Sequence, residues 1–170
     1  TNILNSATVY YLSGVAVAIG FRMNLFNIGV DGQYRIASFA AAFVAGEAWL
    51  PGYLNTILAL FAAMFVGAMW AGIAGLLRVT RGVSEVISTI MLNAIATGAV
   101  AYMLSKVKDD SNPGSNITAT KSIPEGSRIP GFSIGDANSE VYGFTFIAVP
   151  VGFIYWLVLN RMRFGFDLRA

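Results

Sequence analysis

Three uncharged runs limit what this chain can fold into. No Asp, Glu, Lys or Arg occurs from Leu54 to Leu77 (24 residues), from Val86 to Ser105 (20) or from Val141 to Asn160 (20). A helix crossing the hydrocarbon core of a bilayer needs about 20 apolar residues, so each run is long enough to span. A soluble domain has no means of solvating three such helices. Hydrophobic residues make up 56% of the chain and charged residues 12%, about half the charged share of an average soluble domain. The fold class expected is all-α: a polytopic transmembrane helical bundle in one domain, residues 1–170.

Two further segments bring the hydrophobic stretches to about five. Thr1 to Phe21 is uncharged and closed by Arg22. Ile36 to Leu50 carries Glu47 and ends at Pro51-Gly52. With 15 residues it gives only about 22 Å of helix at 1.5 Å per residue, short of a core of about 30 Å. Extending it back to Phe26 repairs the length but draws Asn27, Gly29, Asp31, Gly32 and Gln33 to membrane depth. Irregular backbone is tolerated there only when buried in protein or lining an aqueous cavity.

Residues 106–143 differ in kind. Pro113, Pro124 and Pro130 stand among glycines, serines and mixed charges, so a long solvated loop with little regular structure is expected. Four basic residues (Lys106, Lys108, Lys121, Arg128) are outnumbered there by Asp109, Asp110, Glu125, Asp136 and Glu140. The other seven basic residues are Arg22, Arg35, Arg78, Arg81, Arg161, Arg163 and Arg169. By the positive-inside rule the 106–143 loop is extracytoplasmic, while Arg78–Glu85 and the Arg161 end face the cytoplasm. The chain starts without Met and has no basic leader, and it stops at Arg169-Ala170. It reads as an internal fragment of a longer polytopic protein.

Composition excludes several kinds of chemistry. There is no Cys and no His, which removes thiol nucleophiles, disulfides and the commonest metal ligands. No basic patch interleaved with aromatics suggests nucleic acid. No pair of acids at helical spacing lies within an apolar run, so no catalytic constellation, metal site or cofactor is expected.

Two polar features remain. Glu85, Thr89, Asn93 and Thr97 recur every four residues and drift about 40° per step, so they share one side of a helix. Such a stripe either bonds to neighbouring helices or lines a polar path. Gly67, Ala71 and Gly75 form a small-residue series suited to close helix approach, and Trp49, Tyr53, Tyr142 and Trp156 suit interfacial anchoring. The second feature is Asn27-Ile28-Gly29-Val30-Asp31-Gly32-Gln33. It lacks the Gly-Lys-Ser/Thr of a phosphate loop and the acidic ligands of a Ca²⁺ loop. It is either a broken helix presenting backbone groups to a solute or a tight cytoplasmic turn with a helix N-cap. The length deficit of the second segment favours the break. An ionised Asp31 at that depth needs a partner, and Arg35 lies one helical turn on.

The run Phe26-Asn27-Ile28-Gly29-Val30-Asp31-Gly32-Gln33 resembles the FNIGVEGQ signature of permease subunits of bacterial ABC importers for branched-chain amino acids, ribose-type sugars and nucleosides. Gly82 to Asn93 is similar to the GVNEVISTLMLN segment of the nucleoside and simple-sugar subgroup. Ile123-Pro124 through Ile129-Pro130 resembles its outer loop, and Arg163 to Ala170 its Gly-x-x-Leu-Arg-Ala stretch. The likeness runs in order over nearly the whole chain, with Asp31 where Glu is usual and Ser84 where Asn is usual. It implies a bacterial cytoplasmic-membrane permease that passes a nucleoside or simple sugar and hydrolyses no ATP itself. The implied partners are membrane lipid, a second permease subunit, cytoplasmic ATPase subunits and an extracytoplasmic solute-binding protein. The substrate-path candidates are Asn27, Gly29, Asp31, Gln33, Glu85, Thr89 and Asn93. Arg161, Arg163, Asp167 and Arg169 are candidates to face the ATPase, whose coupling element the resemblance places after Ala170. The rival readings are an ion-coupled secondary transporter using Asp31 or Glu85, and a membrane enzyme or scaffold.

Overall fold

The computed structural model describes residues 2–107, 118–133, 140–162 and 165. Its helices are α1 (Asn2–Arg22), α2 (Val30–Glu47), α3 (Tyr53–Arg81), α4 (Glu85–Val107) and α5 (Phe144–Arg161). Four of them, α1, α3, α4 and α5, are long and apolar enough to cross a membrane. The second expected segment departs from the other four: α2 has 18 residues, about 27 Å of helix, and Asp31, Arg35 and Glu47 make it too charged to qualify. The all-α class holds, with five long helices and four clear spans among the described residues.

The chain divides into two compact units, residues 1–27 with 129–170, and residues 28–128. In the first, α1 packs against α5. The Thr8 and Thr145 hydroxyls are 2.9 Å apart, a polar pair of the kind that joins apolar helices. Gly152 leaves space that the Tyr11 ring and hydroxyl occupy. Beside them, β1 (Phe132–Ser133) pairs antiparallel with β2 (Glu140–Val141). Asn5 ties β2 to α1: its Nδ2 donates to Glu140 O and its Oδ1 accepts from Tyr142 N, each at 3.0 Å. The fifth apolar run was expected to be helical from Val141, but Glu140 and Val141 pair as a strand, and the helix starts at Phe144.

In the second unit α2 packs on α3 and α4. The core between α2 and α3 is Val44, Ala45 and Ala59, flanked by Phe43, Leu58, Ala62 and Ile123. Small residues predominate here because helices that cannot gain from excluding water in lipid gain from close packing. Gly67 serves this purpose: a Cβ there would stand 3.4 Å from the Ala37 Cβ. Gly75, grouped with it by spacing, faces open space. The larger side chains point outward, Phe61, Phe65, Met69 and Leu76 among them, at the three- and four-residue spacing of a single helix face.

The turns follow local chemistry. Gly82 ends α3 in the left-handed region (φ 64°), and its N–H reaches the Arg78 carbonyl at 3.0 Å, a glycine C-cap. The turn from α2 to α3 passes through Ala48 (φ 49°) and Gly52 (φ 59°, ψ −137°), the latter a conformation only glycine adopts readily. Residues 118–128, part of the expected loop, lie across this turn. Ile123 joins the α2–α3 core, Lys121 Nζ meets Glu47 Oε2 at 2.9 Å, and a single 3₁₀ turn forms at Glu125–Ser127. Residues 118–128 therefore have more local order than their composition suggests.

Candidate functional site

The segment expected to be broken is only partly so. The chain leaves α1 at Arg22, passes through Asn24 in the left-handed region (φ 54°) and re-enters a helix at Val30. Asn27 and Gly29 precede the helix, whereas Asp31, Gly32 and Gln33 form its first turn. The expectation of an irregular 27–33 is thereby corrected: the break ends at Gly29, because the Gln33 N–H already reaches the Gly29 carbonyl at 3.0 Å, the first bond of a regular helix. Gly29, the N-cap residue, has no side chain with which to cap.

The cap comes from α4. Asn93 Oδ1 accepts a hydrogen bond from Gly32 N at 2.9 Å, and Asn93 Nδ2 donates to Ile28 O at 3.0 Å. One carboxamide thus satisfies a donor in the first turn of α2 and a carbonyl in the break before it. Gly32 permits this approach, since a Cβ there would lie 2.7 Å from Asn93 Oδ1, 3.0 Å from Asn93 Cα and 3.2 Å from Ala96 Cβ.

The same contact gives the break its position along α4. Asn93 is eight residues beyond Glu85, where α4 begins, or about 12 Å along the helix. The Ile28–Gly32 backbone is therefore fastened to α4 roughly two helical turns past its start.

The other stripe residues separate by role. Glu85 pairs with Arg78 across the α3–α4 turn, Oε2 to Nη1 at 2.5 Å. Thr89 is buried, its hydroxyl donating to the Glu85 carbonyl at 2.7 Å. Thr97 likewise donates back to the Asn93 carbonyl, at 3.2 Å. Asn93, by contrast, bonds to the backbone at the start of α2 and just before it. Asp31 is paired with Arg35, Oδ2 to Nε at 2.9 Å, with both side chains about half exposed. Arg161 closes α5, and Arg163, Asp167 and Arg169 lie outside the described residues.

Sequence reading missed a second polar cluster. Asn55 is fully buried; its Nδ2 donates to Ala45 O at 3.0 Å and to Ser127 Oγ at 3.4 Å. Thr56 Oγ1 donates to Ser127 O at 2.7 Å, and Ser127 Oγ to Gly52 O at 3.2 Å. These bonds fasten the 118–128 strap to the α2–α3 turn. One Asn near a helix start and one Ser in a loop carry no spacing signal that would have joined them.

The chain matches, over residues 1–170, the family model described as branched-chain amino acid transport system / permease component. It is similar to a guanosine ABC transporter permease protein of Bacillus subtilis, 36% identical over 98% of the chain and 47% of that protein. A nucleoside ABC transporter permease protein of Lactococcus lactis is 29% identical over 94% of the chain and 45% of its own length. A glucose ABC transporter permease protein of Haloferax volcanii is 28% identical over 99% and 46%. The chain therefore spans about half the length of the curated relatives it matches. No solved structure matches it significantly. With its four apolar spans and a family match along its full length, the chain is a multi-pass protein of the cytoplasmic membrane and belongs to the branched-chain amino acid transport system permease family.

Proposed function

We propose that this chain is part of the transmembrane permease subunit of an ABC importer that carries nucleosides or simple sugars into the cell. The observation that carries the reading is its likeness, along nearly the whole chain, to permeases named for guanosine, nucleosides and glucose. The geometry supports it. A solute with hydroxyl and base-edge groups needs donors and acceptors inside the membrane, and with the start of α4 at the membrane boundary the Ile28–Gly32 break would bring backbone groups to that depth beside α4. The candidates to face the path are Asn27, Gly29, Asp31 and Gln33 along this segment, with Thr89 on α4; Asn93, whose amide is engaged by Ile28 O and Gly32 N, is assigned to holding the segment. Glu85, already engaged by Arg78, is assigned to the cytoplasmic boundary.

ATP hydrolysis falls to separate cytoplasmic ATPase subunits, which Arg161, Arg163, Asp167 and Arg169 would face. A second permease subunit completes the pathway, and a solute-binding protein delivers from outside, on the side of the 106–143 loop. Uptake of labelled guanosine and labelled glucose by cells with and without the full-length permease gene tests the assignment. One of the two classes should lose uptake on deletion and regain it on complementation. Unchanged uptake of every nucleoside and sugar tried would reject the solute class.

A further inference from the structure

We infer that Asn93 is a positioning residue: from α4 it caps the start of α2 and holds the Ile28–Gly32 backbone in the shape that the solute path needs. The inference rests on the permease reading above. The first turn of any helix leaves N–H groups without intrahelical partners, and they are ordinarily met by a Ser, Thr, Asp or Asn at the N-cap. Here Gly29 holds that place and has no side chain with which to cap. Asn93 supplies the missing acceptor to Gly32 N and, with the other arm of the same planar amide, a donor to Ile28 O.

Both partners are backbone atoms, one on each side of the helix start, so the side chain fixes a conformation. Only a carboxamide of this length does both at once. Aspartate keeps the acceptor and loses the donor, leucine keeps the shape and loses both, and glutamine carries the amide one methylene too far. Gly32 is the other half of the device. A methyl there would press on the Asn93 Cα, which is backbone and cannot swing aside. Gly32 and Asn93 therefore act as one unit, and substitution at either should release the same segment.

The test uses the full-length permease in its membrane, with the variants Asn93→Leu, Asn93→Asp and Gly32→Ala. Amide hydrogen exchange over residues 28–33 is read alongside the KM and maximal rate of uptake per inserted molecule. In Asn93→Leu, protection at Gly32 should fall on the order of tenfold, as expected for a lost hydrogen bond to a helix start, and KM should rise. Asn93→Asp keeps the acceptor for Gly32 N and loses the donor to Ile28 O, so it should retain the Gly32 protection while KM still rises, which also covers the case in which the leucine variant inserts poorly. Gly32→Ala should reproduce the leucine variant in both readouts. Unchanged exchange in Asn93→Leu would overturn the inference. So would an altered preference among solutes in Asn93→Asp with exchange unchanged, which would make Asn93 a direct solute contact. Exchange needs no transport, so a failure of the solute assignment leaves this measurement standing.

Discussion

At the scale of single residues, three side chains illustrate how the same polar character leads to different roles. Asp31 is charged, half exposed and one helical turn from Arg35, a pair expected to add little to stability. If Asp31 faces the path, Asp31→Ala should abolish uptake while the amount of inserted protein stays close to wild type; full uptake by that variant would remove Asp31 from the path. Asn55 is the opposite case. It is fully buried, and truncation leaves the Ala45 carbonyl without its donor. Asn55→Ala should cost about 1–3 kcal/mol, seen as a lower melting temperature in detergent, and should open residues 118–128 to protease. Asn93 lies between the two, half buried and committed to backbone. The Asp31–Arg35 pairing was legible in the sequence because it depends only on helical spacing. The partners of Asn55 and Asn93 were not, because they lie on elements distant in sequence, and spacing along one helix is silent about which neighbour it meets.

At the scale of elements, the departures from expectation have physical causes. The apolar runs located α3, α4 and α5 to within a few residues, since a bilayer span is a requirement on length and polarity alone. The second segment was recognisably short, and the length deficit pointed to Asn27–Gln33. Where the helix restarts was not legible, because it depends on a cap supplied by α4. The small-residue series on α3 shows the same limit: Gly67 and Gly75 look alike in the sequence, but only Gly67 faces α2. Gly67→Leu should overpack the contact with Ala37 and cost about 1–3 kcal/mol, whereas Gly75→Leu should leave the melting temperature of the solubilised protein unchanged. Equal effects at the two positions would contradict the packing of α2 on α3. The 118–128 strap, Glu47 and Gly52 lie at the end of the α2–α3 pair remote from Arg78–Glu85. Impermeant thiol labelling should therefore reach Thr118→Cys in intact cells and Thr80→Cys only after permeabilisation, and the reverse pattern would invert the topology.

At the scale of the whole molecule, four apolar helices expose large side chains such as Phe65, Val149 and Phe153. Such surfaces suit lipid or further helices, which the longer relatives have room to provide. The proposed function requires that the permease containing this chain move its solute at the expense of ATP hydrolysed on another subunit. The direct measurement reconstitutes the full-length permease in proteoliposomes, with its ATPase, a partner permease and a solute-binding protein loaded with labelled guanosine or glucose. Accumulation should require ATP on the ATPase side, should stop when the ATPase is omitted, and should be indifferent to imposed proton or sodium gradients. Accumulation driven by an ion gradient in liposomes lacking the ATPase would contradict it.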